Sequence, residues 1–275
     1  MPAALYIVAT PIGNLQDASP RALEALRRAD IVACEDTRVS RTLLGRHGIA
    51  ARTLSLHGHN ERKRSAELLA ALREGKSVAL VSDAGTPGIA DPGALLVEAA
   101  HRAGVRVVPV PGPNAAAAAL SAAGFPADRY LFAGFLPPAA AARRKALEAL
   151  DLPCPIVFYE APHRVLDAVA DLAACFGAER ELVIARELTK QFEEVARLPL
   201  GAARDWLLAG PHRQQGEFVL VLGPGAPREV RTGDPEKVLS ILLEALPPGQ
   251  AARLASRITG VPRNRLYRKP PRRSK

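Results

Sequence analysis

Residues 78–102 read VALVSDAGTPGIADPGALLVEAAHR, and this stretch decides the fold class. An apolar run at 78–82 is followed by a loop rich in Gly, Pro and Asp, and then by a helical pattern at 94–102. A strand that is apolar at every position is typical of a sheet covered on both faces, which is parallel or mixed. A strand, a loop and a helix in this order predict an α/β domain.

The same alternation extends over the first 125 residues. Further strands are predicted at 5–9, 31–34, 53–56 and 106–110. Ser19 and Pro20 have the pattern of an N-cap and a first-turn proline, and they predict a helix that begins there. Another helix is predicted over 60–73, ending at Gly75. We therefore expect an N-terminal α/β domain at 1–125.

A second series of elements follows the Pro-Pro connector at 137–138, which leads into a helix. Strands are predicted at 156–159, 182–185, 194–198 and 218–222, with helices at 165–176 and 204–208 between them. Gly and Pro at 223–225 predict a linker. A small helical pair is predicted at 236–246 and 250–259. The expected division is thus a second α/β domain at 126–224 and a small, basic, helical C-terminal region at 225–275.

The excess positive charge is confined to the C-terminal end. The chain has 37 basic and 28 acidic residues, and residues 251–275 hold nine of the basic ones and none of the acidic ones. The first 250 residues therefore carry no net formal charge. A localised basic end favours a polyanionic partner, nucleic acid before an acidic membrane, and a solubilising tail is the alternative. The candidate RNA-binding residues are Arg263, Arg265, Arg268, Lys269, Arg272 and Arg273.

Several classes of protein are excluded by what the sequence lacks. No Rossmann G-x-G-x-x-G follows a strand, and neither a P-loop nor a G-x-S-x-G elbow is present. The widely spaced Cys34, Cys154 and Cys175 argue against a zinc cluster or a disulfide framework and favour a reducing cytoplasm. We expect no metal, and no targeting or membrane-spanning segment.

Five loops that follow apolar strands hold the candidate ligand-binding residues, since ligands bind at the carboxyl ends of strands in open α/β sheets. They lie at 10–15, 35–38, 82–93, 111–114 and 158–164, and residues 185–190 resemble the last of these. Asp83 is placed to accept a hydrogen bond from a ligand ammonium or hydroxyl group. Asp91 and Pro92 have the pattern of an N-cap and a first-turn proline. Asp36 has two equal interpretations, a ligand-orienting carboxylate or a helix N-cap in a structural ion pair.

Eight short motifs stand in order along most of the chain: TPIGNL at 10–15, EDTR at 35–38, HGHNE at 57–61, SDAGTP at 82–87, PGP at 111–113, FYE at 158–160, HR at 163–164 and ARELTK at 185–190. Together they resemble the ribosomal RNA small subunit methyltransferase I family, within the tetrapyrrole-methylase-like class of S-adenosylmethionine (SAM) methyltransferases. GVPRNRLY at 260–267 resembles the family's C-terminal region. Ala90, Asn114 and Ala161 depart from the usual family residues and put only local contacts in doubt.

The resemblance implies two α/β domains with SAM in the cleft between them, in a cytoplasmic homodimer. It implies 2′-O-methylation of a cytidine in the decoding region of 16S rRNA, with the small ribosomal subunit as partner. The SAM-binding residues that it implies are Pro11, Asp83, Gly85, Thr86, Pro111, Gly112, Ala115, Phe158, Tyr159, Glu160 and Ala185.

A ribose hydroxyl is a weak acid, so the reaction benefits from a base or a positioned acceptor. The catalytic candidates are Glu35, Asp36 and Glu160 as the base, Asn14 to orient the ribose, and Arg38 and Lys190 to hold phosphate. A structural ion pair is the alternative role for each charged residue. Two other functions stay open: a tetrapyrrole or other small-molecule methylase of the same fold, and a non-catalytic RNA-binding protein of ribosome assembly.

Overall fold

The apolar runs of the first half form a five-stranded parallel sheet. This computed structural model describes residues 2–225 and 234–266. The strands are β1 (Leu5–Val8), β2 (Ile31–Cys34), β3 (Thr53–Ser55), β4 (Val78–Leu80) and β5 (Val107–Val110), in the order β3-β2-β4-β1-β5. The helices between and after them are α1 (Pro20–Arg28), α2 (Thr37–Arg46), α3 (Glu61–Arg73), α4 (Ala94–Arg102) and α5 (Ala115–Ala123).

The first sheet is buried on both faces, as its continuous apolar strands predict. Successive residues of a strand point to opposite faces. In β1, Tyr6 and Val8 pack in one core cluster with α1, whereas Leu5 packs in a second cluster with α3 and α4. Each fully buried Leu or Val stabilises the fold by about 1.5–3 kcal/mol relative to an exposed one.

The second half forms a mixed five-stranded sheet. Its strands are β6 (Leu131–Phe135), β7 (Ile156–Glu160), β8 (Glu181–Arg186), β9 (Glu194–Pro199) and β10 (Phe218–Leu222), in the order β6-β7-β10-β8-β9. Only β6 and β7 are parallel among these pairs. The helices are α6 (Ala140–Glu148), α7 (Val165–Phe176) and α8 (Leu200–Leu208). The start of β10 therefore lies beside the carboxyl ends of β7 and β8.

Helix α5 connects the two sheets. Its small residues Ala116, Ala119 and Ala123 are buried against Val183 and Val221 of the second sheet. Alanine side chains let the helix approach the sheet closely, so this contact holds the loop before α5 near the second sheet. On the other side, α6 and α7 are joined by a buried ion pair between Arg143 and Asp171, at 2.6 Å.

The C-terminal helices form a separate unit, since contacts divide the chain into Met1–Pro224 and Gly225–Lys275. They are α9 (Pro235–Ala245), α10 (Pro248–Thr259) and α11 (Arg263–Leu266). Ala251, Ala252 and Ala255 of α10 form the buried centre of this unit. The predicted α/β class with a helical C-terminal region is confirmed. None of the helices in the two described ranges is long and apolar enough to cross a membrane.

The N-terminus of α4 differs from the sequence prediction. Asp91 is not its N-cap; Gly93 is, with a φ of 128° that favours glycine. Because Gly93 has no side chain to accept a hydrogen bond, Glu61 of α3 does so instead. Its Oε1 atom accepts from the backbone N–H groups of Gly93 at 2.8 Å and Leu95 at 3.1 Å. Asp91 is thereby left outside the helix.

Candidate active site

A cavity of about 410 Å³ lies where the carboxyl ends of strands from both sheets meet. This volume is within the range of about 300–1,000 Å³ that is usual for small-molecule sites. Each sheet contributes one wall. The lining residues are Ile12, Ala84, Gly85, Thr86, Ile89, Ala90, Asp91, Asn114 and Ala115 from the first series, and Phe135, Tyr159, Glu160, Ala161, Pro162, Leu188, Glu217, Phe218 and Val219 from the second.

Three loops of the first sheet are tied together by backbone groups. Thr10 and Gly85 exchange N–H···O bonds of 2.8 and 3.1 Å, which join the loop after β1 to the loop after β4. The hydroxyl of Thr86 donates to the carbonyl oxygen of Pro113 at 3.1 Å, which adds the loop after β5. Gly85 has a φ of 79°, and a Cβ there would lie 3.4 Å from Ile12 Cγ2. The positive φ, rather than a lack of space, is what favours glycine at this position of the wall.

The loop after β1 also contacts the second half of the fold. The backbone N–H of Asn14 donates to Thr189 Oγ1 at 3.1 Å. Gly13 lies so close that a Cβ would meet Lys190 Cγ at 2.5 Å and the Leu188 carbonyl oxygen at 3.0 Å. The motifs at 10–15 and 185–190, which are distant in sequence, thus form one contact beside the cavity.

The charged groups that line the cavity are carboxylates. Among the described lining residues these are Asp91, Glu160 and Glu217, and none is Lys or Arg. Glu160 pairs with Arg164 at 3.0 Å, and Glu217 pairs with Lys190 at 2.9 Å. Asp91 forms no ion pair with any residue of 2–225. Such a lining favours a cationic ligand over an anionic one.

Further carboxylates surround Asp91 and influence its titration. Burial raises the pKa of Asp91, a hydrogen bond from Ser82 opposes that change, and the charge of Asp83 adds to it. Burial also raises the pKa of Glu35, and the charges of Asp83, Asp91 and Asp36 add to the increase. Like charges in a partly desolvated site disfavour ionisation, so both carboxyl groups are more basic than usual.

Asp36 has the structural role that was one of its two interpretations. Its side chain caps α2 by accepting from the backbone N–H of Arg38 at 2.8 Å, and it pairs with the Arg38 guanidinium at 2.6 Å. The hydrogen bonds from Arg38 lower the pKa of Asp36 to about 2. Asp36 is therefore a poor proton acceptor, and Arg38 is held by this ion pair.

The other catalytic candidates are engaged in local contacts. Asn14 caps a short 3₁₀ helix by accepting from the Gln16 N–H at 3.0 Å. Glu160 accepts from the Ala161 N–H at 2.8 Å in addition to its ion pair. Lys190 donates to Glu187 at 2.8 Å as well as to Glu217. Asn14 and Lys190 line an open groove beside the cavity, whereas Glu160 lines the cavity itself.

The eleven residues that the resemblance implies for SAM are divided by the structure. Gly85, Thr86, Ala115, Tyr159 and Glu160 line the cavity, with Tyr159 half-buried against Phe132. The side chains of Phe158 and Ala185 lie in the cores on the two faces of the second sheet. Pro11 is also buried, and Asp83 accepts from the Asp36 N–H at 3.0 Å. Pro111 and Gly112 lie beside the end of β1, where a Cβ on Gly112 would be 3.0 Å from Ala9 Cβ.

Several lining residues were not predicted from the sequence. Asp91 lies in the candidate loop at 82–93, but its sequence pattern indicates a capping role, because Asp-Pro before a helical pattern is a common helix start. Phe135 lies just before the Pro-Pro connector at 137–138, where no strand is predicted, and Glu217 precedes a strand whose antiparallel direction the apolar pattern does not reveal. Of the candidate RNA-binding residues, Arg263 and Arg265 are exposed on α11. Arg268, Lys269, Arg272 and Arg273 lie outside the described residues.

Comparison with known proteins identifies the family. Residues 4–204 match the family model of Tetrapyrrole (Corrin/Porphyrin) Methylases, and residues 229–269 match the RsmI C-terminal HTH domain. The chain is 51% identical over 267 residues to ribosomal RNA small subunit methyltransferase I of Pseudomonas aeruginosa, covering 96% of this chain and 95% of that protein. The chain belongs to the ribosomal RNA small subunit methyltransferase I family.

Other relatives support this membership. Ribosomal RNA small subunit methyltransferase I of Escherichia coli O157:H7 is 48% identical, over 96% of this chain and 93% of that protein. Among solved structures, diphthine synthase has a TM-score of 0.59 at 20% identity, covering 80% of this chain and 89% of that one. A Thermus thermophilus uroporphyrin-III-C-methyltransferase has a TM-score of 0.56 at 22% identity, covering 80% and 93%. At these identities the solved structures show the fold alone. The family model and the relatives confirm the resemblance drawn from the eight motifs.

Proposed function

We propose that this protein is a SAM-dependent methyltransferase that methylates the ribose 2′-oxygen of a cytidine in the decoding region of 16S rRNA. The observation that carries the proposal is the match over 96% of the chain to proteins named ribosomal RNA small subunit methyltransferase I, at 51% and 48% identity. The small ribosomal subunit or a late precursor is the substrate, so the protein acts in the cytoplasm. The basic C-terminal helices bind the RNA, and two copies form a homodimer.

The volume and the charge of the cavity support SAM as its ligand. When bound, SAM supplies an electrophilic methyl group on a positively charged sulfonium. Gly85 and Thr86 form a wall on which backbone atoms can approach the ligand, and Ala115 and Tyr159 bound it from α5 and β7. The described lining residues include three carboxylates and no Lys or Arg, which suits a cationic ligand. A uroporphyrin-III C-methyltransferase of this fold, with a TM-score of 0.56, has been solved complexed with S-adenosyl homocysteine.

Among the carboxylates, Asp91 is the one that we assign to the ribose hydroxyl. It lines the cavity, it forms no ion pair within the described part of the chain, and its pKa is raised. With SAM bound, the Asp91 carboxylate would accept the proton of the 2′-hydroxyl and pass it to solvent, while the methyl group would leave the sulfonium for the 2′-oxygen and S-adenosyl homocysteine would remain. Orientation of the hydroxyl and exclusion of water from the cavity lower the barrier further.

The charge of the cavity also distinguishes between the candidate functions. A tetrapyrrole substrate carries several carboxylates, and these would meet the like charges of Asp91 and its neighbours. A non-catalytic assembly protein would not need a cavity lined by residues at the strand ends of both sheets. An RNA substrate agrees better with the exposed Arg263 and Arg265 of α11.

The proposed function is tested with labelled SAM and two substrates. Small ribosomal subunits that lack the modification are expected to take up label on one cytidine ribose, and porphyrin precursors none. Mass spectrometry of nuclease digests places the methyl group on the 2′-oxygen. Label on the macrocycle, or label on neither substrate with SAM bound, would overturn the proposal.

A further inference from the structure

Phe135 is an aromatic side chain exposed at the mouth of the cavity. It ends β6, it is 55% exposed, and it lines the cavity. Its ring packs edge-on against Tyr159, with the ring centroids 5.6 Å apart. This contact fixes the orientation of the ring while leaving much of it free. Tyr130 and Phe192 are other exposed aromatic residues, at 49% and 65%, but neither lines the cavity.

An exposed aliphatic side chain comes from the other wall of the same cavity. Ile89 belongs to the loop after β4 and is 38% exposed. The residue after it, Ala90, has a φ of 65°, a strained conformation for a residue with a Cβ. The first and second sheets thus each place an apolar group at the mouth, and Pro162 adds a third, exposed one.

We propose that Phe135 and Ile89 hold the base of the target nucleotide between them while its ribose reaches the methyl donor; this inference rests on the proposed function. An RNA chain is too large for a cavity of about 410 Å³, so only an extruded nucleotide can bring its 2′-oxygen to the interior. An extruded nucleotide that enters the cavity passes the mouth of the cavity first. Enzymes that act on extruded nucleotides hold the base by stacking it between aromatic and apolar side chains.

The adenine of SAM is the competing occupant of this position. The inner walls around Gly85 and Ala115 are less exposed than the mouth, and they suit a small donor that must be shielded from water. Phe135 and Ile89 are instead open to solvent, at 55% and 38% exposure, and can therefore be reached by a polymer outside the cavity. We therefore assign the inner cavity to SAM and the Phe135 ring to the RNA base.

The test compares Phe135→Leu and Phe135→Trp with wild type on small subunits. Base stacking on an aromatic ring contributes on the order of 10- to 100-fold in binding. We expect Phe135→Leu to raise KM for the subunit by that factor. The KM of Phe135→Trp should stay close to that of wild type. The dissociation constant of SAM, measured by calorimetry, is expected to stay within about twofold. Tyr130→Leu, at a ring that is 49% exposed but does not line the cavity, is the matched control.

The results of this test separate the possibilities. Loss of SAM affinity in Phe135→Leu, with an unchanged subunit KM, would assign the ring to the adenine and overturn the inference. Equal kinetics in Phe135→Leu and wild type would also overturn it. If Phe135→Leu unfolds at a lower temperature than wild type, Ile89→Ser on the opposite wall replaces it, with the same expected rise in KM. A wild-type protein inactive on subunits would instead contradict the proposed function.

Discussion

Gly13 lies at a close contact between the loop after β1 and the loop at 185–190. A methyl group there would overlap Lys190 and press on the Leu188 carbonyl. We expect Gly13→Ala to destabilise the fold by about 1–3 kcal/mol, as overpacking does, and to weaken SAM binding because the wall moves. Chemical denaturation and calorimetry measure the two effects.

The control is another glycine of the same unit. Gly45 lies inside α2, and a Cβ added there would have no neighbour within 4 Å, so Gly45→Ala is expected to stabilise the protein by about 0.5–1 kcal/mol. Wild-type stability and SAM affinity in Gly13→Ala would show that the loops at 10–15 and 185–190 need not touch.

Asp91 gives the residue-scale prediction for pH. A base must be ionised to accept a proton, so activity should fall as the pH decreases. Because burial raises the pKa of Asp91, this fall should occur at a higher pH than the pKa of an ordinary aspartate, about 3.9. Asp91→Asn should lower kcat by about 10²- to 10⁴-fold and remove this dependence, with SAM affinity largely kept. Rates measured across pH with saturating SAM test the expected kcat and pH dependence.

The control is Asp128→Asn, at an exposed residue. A wild-type kcat in Asp91→Asn would exclude the assigned role.

At the scale of elements, Glu61 of α3 holds the start of α4. Removing its carboxylate in Glu61→Ala leaves the Gly93 and Leu95 N–H groups without their acceptor. We expect a loss of about 0.5–2 kcal/mol in unfolding free energy, as for other lost caps. Since Asp91 lies just before this helix, SAM affinity or kcat should fall as well.

The control for Glu61→Ala is Glu67→Ala on the same helix. Glu67 makes a partly exposed ion pair with Arg64, and its loss should change stability by less than about 1 kcal/mol. Equal thermal melts for the two variants would show that the cap does not support α4.

Local patterns predict most elements of this fold but not their directions. The continuous apolar runs of β2 and β10 have the ends that the sequence predicts, and so does the helix of residues 94–102, although its N-cap is Gly93 and not Asp91. Strand β6 was missed because Gly134 and the following Pro-Pro step have the composition of a connector. The antiparallel direction of β10 could not be predicted, since an apolar strand has the same pattern in either direction.

The site residues, too, could be predicted only as far as local sequence patterns determine them. Loops rich in Gly and Pro after apolar strands predicted where ligand contacts lie, and Gly85 and Thr86 line the cavity. The partner of each polar side chain depends on tertiary contacts instead. Asp83 accepts from the Asp36 backbone and Glu160 is neutralised by Arg164, and neither contact follows from local spacing.

At the scale of the whole molecule, the C-terminal unit supplies the positive charge and the first unit supplies the cavity. Deletion of residues 260–275 removes seven of the nine basic residues of the last 25. We expect weaker binding to small subunits and a shallower dependence of that binding on salt, because fewer phosphates are neutralised. SAM affinity should not change. Filter binding over a range of salt concentrations measures the slope, and an unaltered slope would contradict an RNA-binding role for this end.

We infer above all that loops from both sheets form one site for SAM. The most direct measurement is a crystal structure of the protein with SAM bound. We expect ligand density in the cavity, bounded by Gly85, Thr86 and Ala115 of the first series and by Tyr159 of the second, with the methyl group directed towards Asp91. Density at any other surface, with this cavity filled only by solvent at saturating SAM, would contradict the inference.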